Sequence, residues 1–297
     1  MKIVISGASG FVGAALTEHL RARGVQVSTL VRGSSTEAER EIPWDPAGGE
    51  LDPAAVSGCD VVVNLNGRSI AGGRWTDRVK SELRSSRLDS TRTLVAAIAR
   101  AEEPPPLLIS ASARGYYGDR GDDTVDESSA PGDGFLADLA RDWEEAALEA
   151  RSERTRVVLT RFGMILGDGG ALDKMLTPFK LGLGGPIGAG DQWWPWAAMA
   201  DVVGVVDHVI AHPEIDGPVN VVAPGSATSR QFAKALGDAL GRPAVLPAPA
   251  FAVKLAMGEM AEALLLASTK VEPRVLEDTG YTFRAPTLEA AFRQILV

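Results

Sequence analysis

The segment KIVISGASGFVG, residues 2–13, joins a short apolar run to three regularly spaced glycines. The β-branched run KIVIS (2–6) predicts a buried strand. The stretch AALTEHLRARG (14–24) predicts a helix, because it carries periodic apolar residues and ends at a glycine. VQVSTLVR (25–32) predicts a second strand. The order of strand, glycine turn, helix and strand is typical of an α/β fold with a parallel sheet.

The three glycines of this turn, Gly7, Gly10 and Gly13, have the spacing of a dinucleotide-binding loop. The first can make a tight turn, the second lets the backbone approach a pyrophosphate, and the third lets helix and strand pack closely. The helix that follows would present free N–H groups and the positive end of its dipole to the phosphates. We therefore predict a dinucleotide site here; the alternative is a glycine-rich turn without a ligand.

The end of the second strand indicates which dinucleotide is bound. An NAD site would have a carboxylate at this position to bind the ribose 2′-hydroxyl. This chain has Arg32, followed closely by Ser34 and Ser35. A guanidinium suits a 2′-phosphate, and the hydroxyls can add hydrogen bonds. We predict NADP(H); the alternative is an exposed arginine at a strand end.

Predicted strands and helices alternate along the rest of the chain. We predict strands within 59–67, 104–112, 156–167 and 217–224, and helices at 77–101 and 134–152. This alternation predicts an α/β, doubly wound parallel sheet with helices on both faces. Residues 1–166, joined by a late strand near 219–222, should form the dinucleotide-binding domain. Residues 167–297 should form a small C-terminal substrate lobe and lid, interleaved with the sheet.

The segment from 167 to 200 is rich in glycine and holds three of the six tryptophans, Trp193, Trp194 and Trp196. Ligand pockets are lined mainly by apolar and aromatic side chains. We therefore expect this segment to cover the reactive end of the cofactor. The tryptophans could equally serve core packing, and both roles can hold together.

Composition excludes several functional classes. The formal net charge is −9, and no stretch concentrates lysine and arginine, so we expect no nucleic-acid partner. Cys59 is the only cysteine, which excludes an intramolecular disulfide and fits a reducing compartment. The N-terminus has too short an apolar run for a signal peptide, and no run is long enough to span a bilayer. We expect a cytoplasmic protein with a small-molecule partner.

Two clusters of polar residues could suggest other sites. His208 and His212 are four residues apart, but the spacing offers no third ligand and Pro213 ends the helix, so we expect no metal. A run of carboxylates lies in a loop rich in glycine, serine and proline, and we expect it to form a solvated face. These carboxylates are Asp119, Asp122, Asp123, Asp126 and Glu127.

Together, these motifs resemble the extended short-chain dehydrogenase/reductases, the group that contains nucleotide-sugar epimerases. The chain is more closely similar to an atypical subfamily, the epimerase family proteins or predicted NADP-dependent oxidoreductases. The resemblance extends from Lys2 to about Arg293. It is carried by SIAGGRWTDRVKSELRSSRLDST (69–91), GYYGDRGD (115–122), PFKLGLGGPIGAG (178–190) and GPVNVVAP (217–224).

The resemblance implies a Rossmann-like sheet of seven strands, a C-terminal substrate lobe and a possible homodimer through the helices at 77–101 and 134–152. It also implies cofactor contacts, to which we add the strand-end positions Gly67 and Ser110. Besides the three glycines, the expected contacts are Ser9, Phe11, Val12, Val31, Arg32, Leu65, Asn66, Gly67, Glu82, Arg87, Ser110 and Ile165.

Most short-chain dehydrogenases use a Tyr-x-x-x-Lys pair on a helix, in which the ammonium favours the phenolate. This chain lacks the pair. Its three tyrosines have no lysine four residues later, and no lysine occurs between Lys80 and Lys174. The helix that would carry the pair offers Phe135, Leu136 and Ala140 instead.

We therefore expect any proton transfer to run through the 110–120 loop and not the 134–146 helix. Ser112 would orient a substrate carbonyl, and Tyr116 would donate the proton, while Tyr117 packs. Arg120 is a candidate neighbour of Tyr116, although the intervening glycines leave its position open. Three functions remain open: an oxidoreductase with an unusual proton donor, an epimerase that uses transient oxidation, and a non-catalytic NADP(H)-dependent binding or regulatory protein.

Overall fold

A computed structural model describes residues 1–33 and 40–296, and seven parallel strands form its central sheet. In chain order the strands are β1 Lys2–Ser6, β2 Gln26–Arg32, β3 Glu41–Trp44, β4 Val61–Asn64, β5 Leu107–Ala113, β6 Thr124–Val125, β7 Arg156–Phe162, β8 Met164–Gly167, β9 Trp193–Trp194, β10 Trp196–Ala198, β11 Gly217–Val221, β12 Ala227–Thr228 and β13 Lys270–Val271. The helices are α1 Phe11–Ala22, α2 Asp77–Arg100, α3 Phe135–Leu148, α4 Gly170–Lys180, α5 Met199–Ala211, α6 Ser229–Leu240, α7 Ala250–Met257, α8 Glu259–Ala261, α9 Arg274–Asp278 and α10 Leu288–Ile295.

The central sheet has the order β11-β7-β5-β4-β1-β2-β3. From β1 the chain builds outward through β2 and β3 on one side, and through β4, β5, β7 and β11 on the other. The switch point between β1 and β4 is where a doubly wound fold binds its ligand. The predicted fold class is confirmed, including the late strand, because β11 pairs in parallel with β7 and places Val219 opposite Thr160.

Two boundaries differ from the prediction, and one strand was not predicted. Helix α1 begins at Phe11, inside the glycine motif, and not at residue 14. Strand β4 ends at Asn64, so the sequence at 65–67 forms the loop beyond the strand. The edge strand β3 was not predicted, because its four residues include Pro43 and lack a strong apolar alternation.

The two faces of the sheet are covered by different helices. On one face, Leu16 of α1 and Val206 of α5 join side chains of β1, β4 and β11 in a buried cluster. On the other face, Ile98 of α2 and Ala147 of α3 join the alternate side chains of β1 and β4 and side chains of β5 and β7. None of the helices in the described ranges has both the length and the apolar character needed to cross a bilayer.

A third core lies in the C-terminal half of the chain. It gathers Trp194 and Trp196 around Phe232 of α6 and Phe292 of α10, and both tryptophans are almost fully buried. Core packing therefore accounts for these two tryptophans. Among the described residues, three small pairs of strands lie outside the main sheet: β8 with β10, β9 with β12, and β6 with β13.

The turn between β1 and α1 brings backbone into close contact in two places. Gly7 has a φ of +76°, and a Cβ at this position would lie 2.7 Å from the Leu65 carbonyl. A Cβ at Gly13 would lie 2.1 Å from the Gly7 carbonyl oxygen, well inside contact distance. Only glycine allows the helix to start this close to the end of β1.

We predict that Gly13→Ala destabilises the protein by about 1–3 kcal/mol, because the new methyl group must push α1 away from β1. Urea unfolding followed by circular dichroism measures this change. Gly225→Ala is the matched control, since a Cβ there would have no neighbour within 4 Å. Equal stability of the two variants would contradict the close-packing role of Gly13.

Candidate cofactor and substrate site

The start of helix α1 is built to receive an anion. Gly10 is its N-cap and has no side chain to accept a hydrogen bond, and the first turn contains no acidic residue. The first N–H groups of a helix have no acceptor within the helix, and they lie at its positive end. Ser9 and Gly10 are exposed, and Phe11 and Val12 are half-buried. This part of the chain fits a diphosphate group.

The neighbouring strand ends complete this edge of the sheet. Leu65, Asn66 and Gly67 follow β4, and Gly7 packs against the backbone of Leu65. Arg32 is exposed at the end of β2, after half-buried Val31. Ser34 and Ser35 lie outside the described residues. The glycine loop and the loop after β4 thus meet beside the switch point, and Arg32 ends the neighbouring strand β2 at the same edge of the sheet. Their contacts with a cofactor stay predictions.

A buried amide supports the loop after β4. Asn64 donates to Thr91 Oγ1 at 2.8 Å and to Ser110 Oγ at 3.2 Å, and its Oδ1 accepts from Ser6 at 3.0 Å. Asn66 also donates to Asn64 Oδ1. Ser110 therefore binds Asn64 inside the sheet, and its proposed cofactor contact stays a prediction. Sequence reasoning missed Asn64; its only signal is a polar residue at the end of the apolar strand VVVN.

Three other predicted cofactor residues have protein partners here. Arg87 donates to the carbonyls of Leu83 and Arg68, and burial lowers its pKa to about 10. Glu82 forms ion pairs with Arg68 and Arg78. Ile165 is half-buried in β8, opposite Ala197. Their contacts with a cofactor remain predictions.

Tyr116 lies in a short 3₁₀ turn, Arg114–Tyr117, that follows β5 directly. The Arg161 guanidinium lies 3.5 Å from the centre of its ring. The Tyr116 hydroxyl has no hydrogen-bond partner among the residues that the structure describes. Arg120 is not the neighbour of this phenol, because its guanidinium donates to the carbonyls of Tyr117 and Ala130.

Arg161 is held by a buried ion pair with Glu144 of α3. Its Nε and Nη2 donate to the two oxygens of Glu144 at 2.8 and 2.7 Å, and both side chains are more than nine-tenths buried. Burial alone would lower the pKa of Arg161, but the hydrogen bonds and charge of Glu144 raise it above its ordinary value. Ser112 Oγ donates to the same carboxylate at 2.5 Å. Its proposed role with a substrate carbonyl stays a prediction.

The network continues from Arg161 into the C-terminal half. Arg161 Nη1 donates to the Tyr117 hydroxyl at 2.9 Å, and that hydroxyl donates to Asn220 Oδ1 at 2.7 Å. Burial raises the pKa of Tyr117 to about 12, so it stays a neutral, packed phenol. This agrees with the packing role predicted for it.

One expectation for the acidic run is wrong. Glu127 is buried, and its Oε1 accepts from the backbone N–H groups of Asn220 and Val275. It joins β11 to α9, and burial raises its pKa. Asp119, Asp122 and Asp123 are exposed, as expected. Glu127 follows β6 closely, and it can be buried because backbone N–H groups from two distant segments donate to it. The spacing of residues in the sequence could not predict these donors.

A cleft of about 240 Å³ opens beside this turn. Its lining comes from Trp75, just before α2, from parts of the segments 114–119 and 133–136, and from the C-terminal segment 259–267. Trp75 and Phe135 line it edge to face, with ring centres 5.3 Å apart. Arg114 is also part of the lining, while Tyr116 is not. The cleft thus lies at the carboxyl edge of the sheet, one residue beyond β5.

The two histidines at the end of α5 have other partners. His208 Nε2 is 2.8 Å from Thr279 Oγ1, and the His208 and His212 rings are 3.9 Å apart. Burial lowers the pKa of His208. Within residues 1–33 and 40–296, no group of three or more His, Cys, Asp or Glu side chains could hold a metal ion.

A switch-point glycine loop on a seven-stranded parallel sheet, with a cleft at the end of β5, defines a Rossmann-type protein of the short-chain dehydrogenase/reductase kind. The model of the NAD dependent epimerase/dehydratase family matches residues 3–223. The chain therefore belongs to this family, which confirms the resemblance seen in the sequence. A second model, a domain of unknown function called DUF1731, matches residues 248–295.

Individual relatives match nearly the whole of this chain. The chain is 42% identical to an epimerase family protein of Mycobacterium bovis, over 97% of this chain and 95% of that protein. The crystal structure of human epimerase family protein SDR39U1 with NADPH is similar at a TM-score of 0.91 and 38% identity, over 99% of both chains. The nucleoside-diphosphate sugar epimerase of Corynebacterium glutamicum is 34% identical at a TM-score of 0.81, over 100% of this chain and 58% of that one.

We predict that Glu144→Gln destabilises the fold by about 3–5 kcal/mol, because it leaves the Arg161 charge buried without a counter-charge. Asp138→Asn on the same helix is the matched control, since Asp138 pairs with Arg141 at the surface and should contribute under about 1 kcal/mol. Urea unfolding of both variants measures the difference. Similar losses in the two variants would show that the buried pair does not hold α3 to the sheet.

Proposed function

We propose that this protein is an NADP(H)-dependent oxidoreductase that reduces a small carbonyl compound. The observation that carries the proposal is a glycine cradle with an uncapped helix start, which fits a dinucleotide diphosphate. The NADPH in the crystal structure of the human relative supports the choice of cofactor. The cleft beside the end of β5 supports a small substrate.

The roles in binding follow from the residues at this edge. The backbone from Ser9 to Gly13 would hold the diphosphate, and Gly7 shapes the turn. Arg32 would pair with the 2′-phosphate through a charge-assisted hydrogen bond. Leu65, Asn66 and Gly67 would form the wall beside the glycine loop, supported by Asn64. NADPH, when bound, supplies a hydride.

Reduction of a carbonyl also needs a proton at the oxygen, and we assign it to Tyr116 Oη, in the same turn as Arg114 and Gly115 of the cleft lining. Its hydroxyl is free of other partners among the described residues, whereas the Tyr117 hydroxyl is buried between Arg161 and Asn220. Arg161 holds the ring through its face. Ser112 binds Glu144, so in this proposal it supports Arg161 and does not contact the substrate first. A neutral phenol is a better acid than base, which favours reduction over oxidation.

Two alternatives rest on particular observations. An epimerase is favoured by the family and by the relative from Corynebacterium glutamicum. It needs reversible proton transfer at a hydroxyl, which suffers most from the absence of Tyr-x-x-x-Lys. A non-catalytic binding protein is favoured by that same absence. Single-turnover oxidation of bound NADPH with a library of carbonyl compounds separates the two enzyme functions from the binding protein.

The compartment and assembly of the protein belong to the same proposal. A single, buried cysteine and the absence of a basic stripe support a cytoplasmic protein without a nucleic-acid partner. Helices α2 and α3 pack side by side and are our candidate surface for a homodimer. Sedimentation of the pure protein gives its oligomeric state directly.

We predict that the protein binds NADPH more tightly than NADH, and that Arg32→Ala removes most of this preference. A charge-assisted contact contributes about 1.5–3 kcal/mol, or roughly ten- to more than a hundredfold in affinity. Titration calorimetry with both cofactors measures it. Arg154→Ala, exposed just before the amino end of β7, is the control. An unchanged preference in Arg32→Ala would exclude this role.

We predict that Tyr116→Phe lowers turnover about 10²–10⁴-fold with NADPH affinity unchanged, because general acid catalysis contributes on that order. The measurement is pre-steady-state oxidation of NADPH with whichever carbonyl compound the library identifies. Full turnover in this variant would remove Tyr116 as the donor. A parallel loss of NADPH affinity would point to damage of the loop and not to a missing proton.

A further inference from the structure

Arg114 is the first residue after β5, and its side chain lines the cleft of about 240 Å³. The only hydrogen bond found for its guanidinium in the described part of the chain is from Nη2 to the Leu264 carbonyl, at 2.9 Å. A guanidinium has five N–H donors, so most of them are left unused. The side chain is partly exposed through the cleft, and burial lowers its pKa to about 10, which leaves it charged at neutral pH.

The acidic residues of the cleft do not neutralise this cation. Glu259 pairs with Lys80 at 2.5 Å, and Glu262 pairs with Lys254 at 2.6 Å. Asp119 accepts backbone hydrogen bonds from Gly121 and Ser268. Asp133 is exposed at the rim. Among the described residues, none of these carboxylates forms an ion pair with Arg114.

Apolar side chains also line the cleft, and Lys80 Nζ lies 5.2 Å from the centre of the Phe135 ring. Trp75 and Phe135 meet edge to face, and Leu136 lies next to Gly115 in the turn. Phe135 and Leu136 belong to the part of α3 where the catalytic pair of related enzymes would be expected. The cleft therefore combines an edge-to-face pair of aromatic rings with a planar, partly unused guanidinium.

We propose that this cleft binds a small carbonyl substrate that carries a carboxylate, such as a 2-oxo acid with an apolar side chain. The carboxylate would pair with the Arg114 fork, which matches the planar geometry of a carboxylate. The apolar body would lie against Trp75 and Phe135. This substrate class rests on the reductase function proposed above, but the binding step can be tested without turnover.

The charge of the cleft favours a carboxylate over a phosphate. Asp119, Asp133, Glu259 and Glu262 all line it, so every added negative charge on a ligand is repelled. A monoanion needs one cation, and Arg114 supplies it. A phosphate dianion or a nucleoside diphosphate carries more negative charge than Arg114 alone can offset. The same argument weighs against a nucleotide-sugar in this cleft.

The test measures binding of three non-reactive probes to the NADPH-loaded protein by calorimetry: phenylacetate, its neutral amide phenylacetamide, and phenyl phosphate. We expect phenylacetate to bind most tightly. Arg114→Gln should weaken phenylacetate roughly ten- to hundredfold and leave phenylacetamide unchanged. Arg114→Lys keeps the charge but loses the planar fork, so its affinity for phenylacetate should lie between those of the unchanged protein and Arg114→Gln. Arg154→Gln is the control arginine outside the cleft, and thermal melting with NADPH affinity reports whether each variant is folded.

Four outcomes would overturn the proposal: no binding of phenylacetate, equal binding of the amide, tighter binding of phenyl phosphate, or unchanged phenylacetate affinity in a folded Arg114→Gln. The proposed function fails separately. If phenylacetate binds through Arg114 but no carbonyl compound oxidises NADPH, the carboxylate site is supported and the reductase function is contradicted. If the protein reduces neutral carbonyl compounds, and Arg114→Gln reduces them as well as the unchanged protein does, the reductase function is supported and the carboxylate site is contradicted.

Discussion

The buried ion pair between Arg161 and Glu144 is the constraint on which the rest of the site depends. Removing a guanidinium and a carboxylate from water costs several kcal/mol per ion unless both are fully hydrogen-bonded. Here Glu144 accepts from Arg161 twice and from Ser112, and Arg161 also donates to Tyr117. These bonds can form together only if β5, β7 and α3 hold one relative position. The turn that carries Tyr116 is fixed as a consequence.

This constraint gives the arginine a different role from the lysine of related enzymes. A lysine beside a phenol supplies a net positive charge that favours the phenolate. The charge of Arg161 is balanced by Glu144, so its contact with the Tyr116 ring contributes mainly position. The turn after β5 thus has a phenol held in place by a neutral pair. Such an arrangement suits donation of a proton better than its removal.

The two halves of the site rest on different physical features. The cofactor half is made of backbone, namely two glycine contacts and the free N–H groups at the start of α1. The positions of these backbone groups depend little on the neighbouring side chains. The proposed substrate half is made of side chains from distant segments, with Trp75 before α2, Arg114 after β5 and residues of 259–267. Cofactor binding therefore depends mainly on backbone geometry, whereas the proposed substrate choice depends on side chains such as Arg114.

The sequence by itself determined the sheet and the glycine loop, because strand and helix periodicity and the Gly7-Gly10-Gly13 spacing are local features. It also determined that α3 lacks a phenol and an ammonium, since residues 135–148 include neither tyrosine nor lysine. Tertiary structure decided which charges are buried together. The partner of Tyr116 is Arg161, 45 residues along the chain, and not nearby Arg120; Glu127 is buried by donors from Asn220 and Val275. Such pairings depend on how β5, β7 and β11 lie side by side, and no local pattern in the chain encodes that proximity.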